Sequence, residues 1–134
     1  MTDQTRQDEP GVVTKLSPRS VGDTVARLTG LLAAKGVQVF ATIDQRAAAR
    51  AAGLDLRETV LVIFGNPAAG TPVMAAAPLA ALDLPLKVLI WDDQGQAKVT
   101  YYAPAALAAR HHLDADLAAN LAVVDPLTDA LVAP

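Results

Sequence analysis

The stretch Leu86–Tyr102, LKVLIWDDQGQAKVTYY, decides the fold. Two runs of apolar, β-prone residues, Leu86–Trp91 and Ala97–Tyr102, flank Asp92-Asp93-Gln94-Gly95, a cluster suited to a tight reversal. A link that short joins antiparallel neighbours, because parallel strands need a crossover of a dozen or more residues. Upstream, Thr59–Phe64 is continuously apolar and reads as a central strand. Further back, Val37, Val39, Ala41 and Ile43 alternate with Gln38, Phe40, Thr42 and Asp44, the two-residue period of a half-buried strand that Asp44 ends. Val12, Val13 and Leu16 suggest a short first strand.

Helical signals lie between and after these strands. Ser20 with Asp23 resembles a capping box, so a helix should begin near Val21. Val21, Val25, Leu28 and Leu32 then form one apolar stripe that Lys35 and Gly36 close. Gln45–Ala52 reads as a surface helix closed by Gly53. Thr71-Pro72 has the form of an N-cap with proline at the first helical position, and Pro78 opens another turn through Ala81, ended by Asp83-Leu84-Pro85. Pro104 starts a helix to about His111. Asp114 caps a last helical region with Leu117, Leu121 and Val124 on one stripe, where Asp125-Pro126 permits a kink or a fresh start. The order β-α-β4-α predicts an α+β fold, an antiparallel-dominated sheet with helices packed on one face. Residues 1–10 are expected to be a disordered tail, and residues 11–134 a single domain.

Composition narrows the functional classes. Hydrophobic residues make up 52% and charged residues 19%, which describes a globular chain rather than a disordered one. With no cysteine, thiolate metal sites, disulfides and cysteine nucleophiles are excluded. The net charge of −3 and scattered basic residues provide no stripe for a phosphate backbone, so nucleic acid is not an expected partner. Asn66–Leu82, an uncharged run, is interrupted by Pro67, Gly70, Pro72 and Pro78, which argues against a membrane helix. The polar N-terminus lacks the apolar core of a secretory signal, and a cytoplasmic location is the default expectation.

Five motifs, IDQ (Ile43–Gln45), GL (Gly53-Leu54), IFGNPAAGTPVM (Ile63–Met74), ALDLPLKVLIW (Ala81–Trp91) and ARHHL (Ala109–Leu113), stand in one order. Together they resemble the family catalogued as domain of unknown function 302, over about Val12–Val124. The resemblance implies a small bacterial or archaeal protein or module with the β-α-β4-α arrangement of the TATA-box-binding-protein-like class. It implies no function. The family pattern places histidine directly after the aspartate of the ID motif, where this chain has Gln45.

The Gly65–Gly70 spacing suggests a phosphate loop, but Thr71-Pro72 stands where the lysine and hydroxyl residue belong, and proline removes a backbone donor. The residues instead suit a corner: Asn66-Pro67 initiates a turn, Gly70 takes a positive φ, and Thr71 caps a short helix whose Val73 and Met74 amides would favour an anion or carbonyl oxygen. His111 and His112 point about 100° apart on a helix, so they do not chelate one ion together. His111 pairs with Asp44 in an acid–base reading, and in a structural reading simply hydrogen-bonds near a helix terminus. Asp83 reads as a turn cap or an acid–base group, and Arg110 as a carboxylate clamp or a dipole partner. No serine lies downstream of Ser20, which excludes a serine hydrolase.

These features favour a small-molecule or anion binding module, expected as a homodimer. Its pocket would lie between the sheet and the Gly65–Pro72 loop, with Asp44, Asn66, Gly70, Thr71 and His111 as ligand contacts. An enzyme with an Asp44–His111 site and a non-catalytic interaction module with exposed apolar residues near Leu79–Leu84 are the alternatives. No metal site is expected, and no cofactor is identified.

Overall fold

The structure, a computed structural model, describes residues 10–134; the expected tail therefore lies, Pro10 apart, outside the described residues. Strands β1 (Val12–Leu16), β2 (Gln38–Asp44), β3 (Thr59–Gly65), β4 (Leu86–Asp93) and β5 (Gln96–Tyr102) form one sheet in the order β1-β5-β4-β3-β2, every pair antiparallel. The expected α+β class and antiparallel sheet are thus observed. The decisive hairpin is tighter than the predicted Asp92–Gly95 turn. Only Gln94 and Gly95 separate the strands, at φ +52° and +92°, so the reversal is of the primed kind that matches strand twist.

Helix α1 (Val21–Ala34) starts as its sequence dictates, with the Asp23 amide donating to Ser20 Oγ at 3.0 Å. It buries Val21, Leu28 and Leu32 on the sheet face formed by Val62, Phe64, Val88, Ile90, Ala97, Val99 and Tyr101. Helix α6 (Val124–Val132) lies beside α1 and adds Val124, Leu127 and Leu131 to this core. Polar contacts hold α6 in place: Tyr101 Oη donates to Asp125 Oδ1 at 2.6 Å, and Arg19 donates to the carbonyls of Leu131 and Ala133. Of the two options at Asp125-Pro126, the fresh start occurs, because proline is tolerated in a helix's first turn.

The stripe predicted through Leu117, Leu121 and Val124 is divided. Leu117 of α5 (Ala115–Ala119) and Leu121 join a second hydrophobic cluster with Val73, Ala80 and Leu107 of α4 (Pro104–Arg110), whereas Val124 joins the main core. The new helix start rotates the later residues away from the earlier ones. A second departure is the β-bulge in β2: Val39 faces Phe64 and Ala41 faces Ile63, leaving Phe40 extra. The expected alternation nonetheless holds in burial from Gln38 to Thr42, with Val39 and Ala41 part-buried and Phe40 exposed, and fails only at the exposed Ile43.

Candidate functional site

A cavity of about 350 Å³ opens at the seam between the two hydrophobic clusters. Val37, the bulged Phe40, Phe64 and Gly65 form its sheet side. Leu84, Pro85 and Leu86, which lead into β4, form a second wall. Asn66, Pro67, Ala69, Gly70, Thr71 and Met74 contribute the helical wall, and Asn120, Leu121 and Val123 close it. Asn120 Nδ2 donates to the Ala69 carbonyl at 3.1 Å, tying the turn after α5 to the helical wall. No lining residue among those described is ionisable.

The helical wall corrects the predicted corner. Helix α3 spans Pro67–Ala76, so Thr71 and Pro72 lie inside it rather than at its start. Asn66 is the cap: its Oδ1 accepts the Ala68 amide at 2.9 Å, and Pro67 occupies the first turn, where its missing N–H is no loss. The Ala69 and Gly70 amides both donate to the Asn66 carbonyl. Gly70 is absent from the left-handed glycines, Gly11, Gly36, Gly53 and Gly95. The amides expected to greet an anion at Val73 and Met74 are thus internal to a helix, while the true N-terminal turn has spent or lacks its donors.

Of the five sequence-derived contacts, Asn66, Gly70 and Thr71 meet at the cavity, and Asp44 and His111 do not. Asp44 ends β2 opposite Val60 and caps α2 (Gln45–Ala51), its Oδ1 accepting the Ala47 amide at 2.9 Å. That position lies five residues along β3 from Gly65, or roughly 17 Å at strand rise. His111 pairs instead with Asp83, Nε2 to Oδ2 at 2.6 Å, and Arg110 Nη1 reaches the same oxygen at 3.2 Å. The Asp44–His111 pair is therefore not formed, because the two groups hang from opposite ends of the sheet.

The Asp83–His111–Arg110 cluster stands behind the Leu84–Pro85 wall. Burial pushes the Asp83 carboxyl up, but the His111 hydrogen bond and the Arg110 charge outweigh it and hold the carboxyl below its ordinary value. Lys87 Nζ donates to the Pro85 carbonyl at 2.9 Å, adding a further tie on the same connector. The available signal was the placing of Asp83 and His111 in two of the resemblance motifs, ALDLP and ARHHL. No sequence signal marked Phe40 or Asn120 as wall residues. Among the described residues no group of three or more His, Asp or Glu side chains could hold a metal ion, and no helix is long and apolar enough to cross a membrane.

The fold is similar to the crystal structure of an uncharacterized conserved DUF302 protein from Bacillus stearothermophilus. The TM-score is 0.78 at 21% identity, covering 92% of this chain and 97% of that one. In sequence, residues of this chain are 42% identical over 106 positions to proteins named "Fluoride-specific ion channel FluC 1" from Brucella suis biovar 1 (strain 1330) and Brucella abortus biovar 1 (strain 9-941). The match covers 78% of this chain but only 42% and 39% of those relatives, so it spans about two fifths of their length. The family model described as domain of unknown function DUF302 matches residues 13–131, the sheet apart from Val12 and every helix that surrounds the cavity, and the chain belongs to that family.

Proposed function

We propose that this domain is a binding module for a small, largely apolar organic molecule, seated in the cavity between β3, the Leu84–Leu86 connector and α3. The observation that carries this reading is the cavity itself. Protein interiors fill such spaces, since walls facing a void lose their van der Waals contacts, whereas a preformed apolar hollow of this size is the usual form of a ligand site. The acid–base alternative draws support from the Asp83–His111 pair, yet neither side chain lines the cavity, which leaves that pair without a place for substrate. On the binding reading, conduction in the Brucella relatives belongs to the part of each protein outside the match, with the shared domain as an attached binding module. The homodimer expected from sequence is part of the same proposal and is read by sedimentation velocity.

The test is a thermal-shift panel of small apolar compounds on the wild type and on Gly70→Leu. A Cβ at Gly70 would meet only Met74 Cε, at 3.8 Å, and its backbone is helical, so leucine fills the cavity without straining the chain. Compounds at a hundred times their dissociation constant should stabilise the wild type by about 2.7 kcal/mol and leave the plugged variant unmoved. Absence of any shift in the wild type, or equal shifts in both proteins, overturns the proposal.

A further inference from the structure

We infer that the cavity selects uncharged ligands bearing one neutral hydrogen-bonding group and rejects carboxylates and phosphates. This rests on the reading of the cavity as the binding site and adds the chemical class of its occupant. Three observations carry it. The lining residues include no ionisable side chain, so a buried anion finds no counter-charge. The nearest helix start provides no anion nest: Pro67 has no N–H, and the Ala68, Ala69 and Gly70 amides all bond to Asn66. The nearby basic side chains are turned to other partners, Lys87 to the Asp83 and Pro85 carbonyls and His111 and Arg110 to the Asp83 carboxylate, whose own negative charge adjoins the wall at Leu84.

What the lining does provide is neutral. Thr71 has a hydroxyl, and Asn120, having donated Nδ2 to the Ala69 carbonyl, keeps Oδ1 as an acceptor. Asn66 has used Oδ1 on the Ala68 amide and keeps Nδ2 as a donor. A primary amide, alcohol or ester at one end of an apolar body matches this set. A carboxylate does not, because an unpaired charge moved out of water must first take up a proton.

Decanamide and decanoate, equal in chain length, separate the possibilities by calorimetric titration from about pH 5.5 to 7.5. Decanamide affinity should be flat across that range. Decanoate affinity should fall tenfold for each pH unit above its own pKa, as only the protonated acid enters. Thr71→Val should weaken decanamide about fivefold, the worth of one neutral hydrogen bond, and leave octane binding unchanged. Decanoate binding as tightly as decanamide at the upper pH overturns the charge selectivity while leaving the site standing, and an equal effect of Thr71→Val on octane overturns the hydroxyl contact. Failure of decanamide, decanoate and octane alike to bind overturns the site, and this inference with it.

Discussion

At one end of the β2–β3 ladder Asp44 closes β2 and caps α2; at the other, Asn66 follows β3 and caps α3. The local chemistry is the same in both: an extended residue whose side-chain oxygen accepts an amide of the helix's first turn at 2.9 Å. The surroundings are opposite. Helix α2 buries none of its residues, whereas α3 sends Val73 into the second hydrophobic cluster and forms a wall of the cavity. A strand-to-helix junction thus specifies where the chain turns, and what packs behind the junction specifies whether a site exists.

The comparison breaks most visibly in the strand itself. Phe64 and Val60 share the helix-facing side of β3, Phe64 at the cavity end with 1% exposure and Val60 at the Asp44 end only partly buried. Phe64→Ala should cost about 3–5 kcal/mol and Val60→Ala about 1 kcal/mol in urea denaturation. Equal losses would mean that the two ends are packed alike.

The connector behind the cavity offers a middle-sized effect with a pH signature. Asp83→Ala leaves His111 Nε2 without its partner at a site where the side chains are 10% and 19% exposed, and should cost about 1–3 kcal/mol near neutral pH. Because the Asp83 carboxyl is held below its ordinary value in the folded chain, its contribution is fully present above the unfolded carboxylate range. It disappears as pH falls through the lower folded value. The stability gap between wild type and Asp83→Ala should therefore close as pH falls below the ordinary carboxylate range. A gap that widens across that acid range would contradict the geometry.

The smallest effects sharpen the contrast. Asp44→Ala and Asn66→Ala should each lose about 1 kcal/mol, the ordinary worth of a cap, and be indistinguishable by denaturation. Only Asn66→Ala should also weaken binding of an apolar amide. Loss of binding in Asp44→Ala would put a site at the wrong end of the ladder.

The sheet, α1 and the β4–β5 reversal were legible because their signals act within a few residues: alternation, a capping serine, and turn residues that accept positive φ. Thr71 was misplaced because Asn66-Pro67 and Thr71-Pro72 are both valid helix starts by local rules. The cap is Asn66, although this leaves Pro72 inside the helix at the loss of one internal hydrogen bond. The candidate site was half legible for the same reason. Asn66, Gly70 and Thr71 are neighbours in sequence and stay neighbours in space, whereas the expected Asp44–His111 pairing required a long-range guess.

By itself the sequence determined the strands, the principal helix and the order that makes them an α+β sheet, since those follow from short-range hydrogen bonding and periodic burial. Only the tertiary structure decided that Asp83 rather than Asp44 meets His111, 28 residues apart, that Asn120 ties to Ala69 across 51 residues, and that a cavity lies between. The volume left where two hydrophobic clusters meet depends on how rigid elements seat against each other, and no stretch of the chain encodes that locally.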